Sequence, residues 1–83
     1  MRRKYVGQFS VGDRVVCIKS YSSTGPIFEG MTGVVCHIHN GQPNIGIRWD
    51  QQLRRGHSCH DHCEHGWGWY MWDDYIQKLA ENT

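Results

Sequence analysis

Apolar residues recur along this chain in short alternating runs rather than at helical spacing. The clearest run covers 45–49, where Ile, Ile and Trp alternate with Gly and Arg, as in a strand with one buried face. Runs rich in β-branched residues cover 14–19 and 34–39, and an aromatic run covers 67–72. The pattern therefore predicts strands over 14–19, 34–39, 44–50 and 67–72.

Turn-forming residues separate the predicted strands. Gly12-Asp13 precedes the first strand and Gly30-x-x-Gly33 leads into the second. Asn40-Gly41 indicates a hairpin between the second and third strands, because both residues tolerate positive φ. Residues 73–79 predict either a turn with a closing strand or one helical turn.

A chain of 83 residues has room for a single domain. Its ten glycines, four tryptophans and four tyrosines favour β-structure and tight turns over helices. We therefore expect an all-β fold, a small barrel of about five short strands that closes to hide its edges. The domain is expected to span 9–79, with a flexible or edge segment over 1–8 and a frayed tail over 80–83.

The stretch 51–66 predicts an irregular insertion before the penultimate strand, and it is rich in metal-ligating side chains. Cys59 and Cys63 have the short spacing of structural zinc ligands, and His57 and His65 flank them symmetrically. These four residues form a candidate zinc site, for which the histidines at 60 and 62 are alternative ligands. In the competing interpretation the two thiols pack together, and His57 folds inward to donate to a backbone carbonyl.

The remaining cysteines lie in apolar strand sequences. Small thiols are common in protein cores, so Cys17 and Cys36 are expected to pack there rather than to bind metal. A Cys–His pair is present in composition around Cys59, but no orienting third residue or oxyanion turn is recognisable. The sequence therefore predicts a protein that is not an enzyme.

The aromatic run offers a candidate surface for a partner. Strand alternation puts Trp67 and Trp69 on one face and Tyr70 and Trp72 on the other, so that one face fills the core and the other binds. Exposed aromatic side chains in small barrels stack on bases or dock peptides. In the alternative, the insertion covers the strand and both faces pack. Arg54-Arg55 lies in the adjacent loop and joins this candidate surface.

The net charge of +1, with histidines neutral, produces no overall field that would attract nucleic acid. Basic residues do cluster at Arg2-Arg3-Lys4 and at Arg54-Arg55, either as solubilising groups or as phosphate contacts. No apolar run approaches the roughly 18 residues of a membrane span, and the charged start does not resemble a signal peptide. We therefore expect a cytoplasmic protein without membrane contact.

Three spaced motifs carry a resemblance to a known fold family. They are the Gly-Asp turn within 9–15, the Gly-x-x-Gly turn within 30–35 and the alternating run over 45–49. This pattern resembles SH3-like barrels of KOW-type and related domains. The stretch 56–70, with Gly-His-x-Cys followed by Gly-x-Gly-Trp-Tyr, is also similar to small uncharacterised phage and bacterial proteins with such barrels.

The resemblance implies an SH3-like barrel, and for KOW-type domains a role beside the transcription or translation machinery. We favour a small non-enzymatic binding module with a protein partner, such as a phage-type modulator that binds a host protein through the aromatic strand and adjacent loops. The alternatives are a KOW-like nucleic-acid-binding domain and a zinc-stabilised interaction domain.

Overall fold

The computed structural model describes residues 9–40 and 43–79. The predicted flexible start at 1–8, the basic cluster within it, the Gly41 tip of the hairpin and the predicted frayed tail at 80–83 lie outside the described residues. Within the described part, no helix has the length and apolar character needed to cross a membrane.

The described residues form an all-β fold, as the sequence predicts, and each predicted strand is present with slightly different ends. Two short 3-10 turns, Ser22–Thr24 and Asp73–Tyr75, accompany the strands. The chain after residue 72 thus contains both expected features, a helical turn and a closing strand. The strands are β1 Arg14–Cys17, β2 Thr32–Ile38, β3 Ile45–Trp49, β4 Gly68–Met71 and β5 Ile76–Lys78.

All neighbouring strands pair antiparallel in one sheet with the order β4-β3-β2-β1-β5. The first and last strands in this order are joined by the short connection from Met71 to Ile76. That connection spans at most about 17 Å when fully extended, whereas a flat sheet would hold β4 and β5 about 19 Å apart. Part of the connection is a compact 3-10 turn, so the sheet must curl and bring its two edges towards each other.

The concave side of the curled sheet holds the hydrophobic core. Alternation along β3 buries Ile45, Ile47 and Trp49 completely, as the pattern of that segment predicts. Cys17 also lies in the core, which confirms its expected packing role. The other buried core residues are Phe9, Val15, Ile27, Val35, Leu53, Met71 and Ile76.

A β-bulge in β2 sets the position of Cys36. Val35 pairs with Ile47, and the next pair is His37 with Gly46, so Cys36 is an extra residue on the β2 side. Two consecutive side chains, those of Cys36 and His37, are thereby directed away from the core. The expectation that Cys36 packs in the core is wrong, because Cys36 follows the buried Val35 and so lies on the outer face of β2, and the bulge then turns His37 to that same face.

An ion pair at the end of β3 ties three strands together. Both terminal nitrogens of Arg14, in β1, donate to the Asp50 carboxylate at 3.0 Å. The Thr32 hydroxyl, in β2, donates to the same carboxylate. These hydrogen bonds, from Arg14 first and then from Thr32, hold the pKa of Asp50 below its ordinary value of 3.8.

We expect Asp50→Asn to lower the free energy of unfolding by about 1 kcal/mol near neutral pH, since the pair is bidentate but partly exposed to solvent. A depressed folded-state pKa stabilises above the unfolded value, and this contribution disappears as pH falls through 3.8 and below. Urea unfolding across that range should therefore show the two proteins converging in acid. Asp74→Asn, at an exposed carboxylate, is the control, and an equal loss there would contradict the assignment.

Candidate metal centre at the cysteine cluster

The insertion contains one turn of left-handed backbone. Cys59, His60 and Asp61 have φ values of 49°, 60° and 70°, and none of them is glycine. The Ser58 carbonyl accepts hydrogen bonds from the amides of His62 at 2.8 Å and Cys63 at 3.1 Å, which closes the turn. Left-handed backbone costs about 1–2 kcal/mol for each non-glycine residue, so this turn needs compensation from its surroundings.

The turn brings two thiols together, and the bulge in β2 supplies a third. The Sγ atoms of Cys36, Cys59 and Cys63 all lie within 4.8 Å of one another. Cys59 is fully buried, whereas the other two thiols are half-buried. Three cysteines from two separate parts of the chain thus form one group that could hold a metal ion.

Two glycines on the outer face of the sheet make room for this thiol cluster. A Cβ atom on Gly68 would lie 2.8 Å from Cys63 Sγ and 2.9 Å from Cys59 Sγ, and a Cβ on Gly46 would lie 3.2 Å from Cys59 Sγ. Real Cβ atoms essentially never approach other atoms closer than 3.0 Å. The thiols therefore rest on backbone that has no side chain, and a larger residue at Gly68 would displace them.

The three thiols share their protons unequally. Hydrogen bonding from Cys59, assisted by Cys63 and by the nearby charge of Arg48, lowers the pKa of Cys36 to about 7 despite its burial. Burial and the neighbouring Cys36 raise the pKa of Cys63 to about 11. The hydrogen bond to Cys36, followed by burial, raises the pKa of Cys59 above its ordinary range. The first thiolate to form in the cluster is therefore stabilised by its neighbours, and its charge opposes ionisation of the other two thiols.

His57, the first predicted imidazole ligand, does not belong to the thiol cluster. Its Nδ1 accepts a hydrogen bond of 3.1 Å from the Cys59 amide, and its ring stacks on Trp69 with the centroids 5.2 Å apart. Burial is the main cause that lowers the pKa of His57, in keeping with a neutral ring. In the alternative interpretation the His57 ring folds inward and donates to a backbone carbonyl. The inward orientation is observed, but the ring accepts a hydrogen bond from a backbone amide instead.

His65, the second predicted imidazole ligand, is exposed. In the part of the chain that the structure describes, the metal-capable group consists of the three thiols alone. Cys59 and Cys63 are brought together as the zinc prediction requires, but Cys36 stands where a histidine was expected.

A wall of imidazoles lies beside the thiol cluster. The rings of His37 and His62 are stacked with centroids 3.9 Å apart, and His60 Nδ1 lies 2.6 Å from the Tyr70 hydroxyl. Burial, followed by the neighbouring imidazoles, lowers the pKa of His37. Burial raises the pKa of Tyr70 to about 12. Tyr70, expected to contact a partner, is thus already engaged within the protein.

The aromatic run is half-buried rather than openly presented. Trp69 packs against the core beside the fully buried Met71, and Trp72 contacts the Tyr75 ring. Trp67 precedes β4, and the guanidinium of Arg48 lies 4.6 Å from its ring centroid. The exposed aromatic side chains among the described residues are instead Tyr21 and Phe28.

Arg54 and Arg55 are exposed and lie along a groove that also includes Trp69. The structure therefore places both arginines beside one member of the aromatic run, Trp69. Arg48 was not among the predicted site residues. It pairs with Glu64 at 2.9 Å and so ties the insertion to β3 next to the thiols.

We expect Asp61→Val to lower the free energy of unfolding by about 1–2 kcal/mol, because a β-branched residue tolerates left-handed backbone poorly. Asp61→Asn should stay close to the parent protein, since Asn also tolerates this conformation. Gln77→Val places the same side chain at an exposed strand position and should be nearly neutral. Urea unfolding of the three variants measures their free energies of unfolding. Equal stability of the two valine variants would rule out the left-handed turn.

A comparison of the chain with protein-family models, with curated proteins and with solved structures finds no match in any of the three. The geometry of the thiol cluster and of the groove is therefore the basis for assigning a function.

Proposed function

We propose that this protein is a zinc-stabilised, non-enzymatic interaction domain in which Cys36, Cys59 and Cys63 hold the metal. The observation that carries the proposal is the convergence of three thiols within 4.8 Å. Thiolate sulfur is a preferred ligand of Zn²⁺, and structural zinc sites commonly take three or four such ligands. A Cys59–Cys63 pair from the insertion and a single cysteine from β2 would bind loop and sheet to each other.

In a tetrahedral site the fourth position would be taken by a solvent molecule or by the imidazole of His60 or His62. Each of these histidines is adjacent in sequence to a loop cysteine. Co²⁺ substitution separates the possibilities, because the visible absorption of tetrahedral Co²⁺ responds to the number of sulfur and nitrogen ligands.

A metal would stabilise the part of the fold that has the least support of its own. Among its described residues, the insertion over 51–66 places only Leu53 in the hydrophobic core. It also contains the left-handed turn at 59–61, which costs free energy. Since zinc binds the folded arrangement and not the unfolded chain, its binding free energy adds to folding and offsets that cost.

The curled five-stranded antiparallel sheet supports the SH3-like barrel expected from the resemblance. Small barrels of this kind recognise partners with exposed loops and aromatic side chains. Phe28 and Tyr21 are exposed here, and so are Arg54 and Arg55, which favours a binding role with a protein partner. Because the proposed ligands are free thiols, the proposal also implies a reducing compartment such as the cytoplasm.

Elemental analysis of the purified protein should find about one zinc per chain. Chelation should lower the melting temperature and change tryptophan fluorescence together, because the insertion contacts Trp67 and Trp69.

Cys36→Ser should abolish zinc binding and make the melting temperature insensitive to chelator. The matched control is Cys17→Ser, which alters a buried core thiol; it should cost packing free energy while zinc content stays unchanged.

Acid should release the metal. Protons compete with zinc for thiolates and imidazoles, so the bound fraction should fall as pH drops through about 6 to 5. The measurement is zinc release followed with a colorimetric chelator. A parent protein that contains no metal, takes up none and melts identically with and without chelator would refute the zinc assignment.

A further inference from the structure

A groove of about 600 Å³ lies apart from the thiol cluster and shares none of its cysteines. Its walls come from the turn at Gly25-Pro26, from Phe28 and from the loop over 51–55 that follows β3. Trp69 reaches it from β4. Three separate segments thus build one concave surface large enough for a few side chains of a partner.

The aromatic wall of the groove is held rigidly. A Cβ atom on Gly25 would lie 2.5 Å from Cζ2 of Trp69, so the indole rests directly on backbone at that turn. Gly25 has φ of 59°, which a larger residue would adopt only with strain. The His57 ring stacks beside the same indole at a centroid distance of 5.2 Å. Because Trp69 is fixed on two sides, a ligand would meet a pre-formed surface.

The groove presents apolar surface to solvent at its edge. Phe28 is 62% exposed although it is a large aromatic residue, and it lies beside the half-buried Met31. Pro26, which is also half-buried, contributes further apolar surface from the turn beside it. Exposed aromatic residues next to a concave apolar wall are typical of the central contacts in protein interfaces.

The charges along the groove have a single sign. Arg54 and Arg55 both line it, and no aspartate or glutamate does. Within the ranges 9–40 and 43–79, Arg14, Arg48 and Lys78 each pair with a carboxylate, whereas neither Arg54 nor Arg55 forms an ion pair. Two adjacent guanidinium groups without counter-charge favour a ligand that supplies carboxylates.

We propose that this groove binds a peptide segment of a protein partner that combines acidic residues with apolar ones. The apolar side chains occupy the surface formed by Phe28, Met31 and Trp69, and the carboxylates pair with Arg54 and Arg55. This inference rests on the binding role proposed above and names the chemistry of its partner. It does not require the metal, although the thiol loop holds His57 against Trp69.

The test is a selection of random peptides displayed on phage against the immobilised full chain as purified, with its zinc content measured. Enriched peptides should contain aspartate or glutamate next to aromatic or aliphatic residues. An enriched synthetic peptide should then bind in fluorescence anisotropy with an affinity that falls as salt rises, since screening weakens exposed ion pairs.

Matched variants locate the binding site. Arg54→Ala combined with Arg55→Ala should weaken the enriched peptide at least about tenfold, and Phe28→Ala should weaken it similarly by removing an exposed aromatic contact. Lys19→Ala and Val11→Ala are the controls, because they remove an exposed charge and an exposed apolar group outside the groove. The controls should bind like the parent, and all variants should keep its melting temperature.

Several outcomes would overturn the inference. They are a selection without enrichment, enriched peptides that lack acidic residues, and binding that survives both groove variants. Displacement of the peptide by a single-stranded oligonucleotide that binds more tightly would show that the two arginines bind phosphate groups rather than carboxylates. Zinc content is measured on the same preparations, so a parent chain that contains zinc but enriches no peptide refutes the groove alone, and a metal-free parent chain that still binds peptide refutes zinc alone.

Discussion

The bulge at Cys36 is the constraint on which the candidate site depends. Without the extra residue, His37 would follow the alternation of β2 towards the core, and its ring could not stack on His62 as it does at 3.9 Å. With it, one thiol and one imidazole stand together on the outer face. The thiol meets Cys59 and Cys63 there, and the imidazole meets the histidines of the insertion. One irregular residue in β2 thus adds a contact between the sheet and a loop that places only Leu53 in the hydrophobic core.

The same loop also contacts β4 through His57. Its backbone pairs with Gly68 in both directions, with N···O distances of 3.0 and 2.8 Å, and its ring stacks on Trp69. Trp69 in turn forms a wall of the groove. The thiol cluster and the groove are therefore separate sites joined by a short path of direct contacts, and stabilising the first would help to keep the second in shape.

Local patterns predicted the strands well because each strand buries one face, and burial of one face imposes a period of two on the sequence. The run over 45–49 follows this rule. The predicted turns at Gly12 and Gly30 are also present, and both glycines have positive φ. The pairing of Cys59 with Cys63 was also predictable, since four residues of separation let one turn of chain bring them together. Cys36 was assigned to the core because it stands in an apolar run, where small thiols are commonly buried. A signal was present in the sequence, because Val35 and Ile38 are both apolar and two residues separate them, which is the spacing that a bulge produces.

By itself, the sequence determined the all-β class, the approximate strands and the presence of a cysteine- and histidine-rich insertion. These features depend on neighbouring residues and on the free energy of burying one face of a strand. Only the tertiary structure decided that Cys36, more than twenty residues upstream, joins the loop thiols, and that His57 packs on Trp69 instead. It also decided that Arg54 and Arg55 share a groove with Phe28. Such contacts join residues distant in the chain, and they follow from strand pairing, the bulge and the curl of the sheet, none of which is set by local sequence alone.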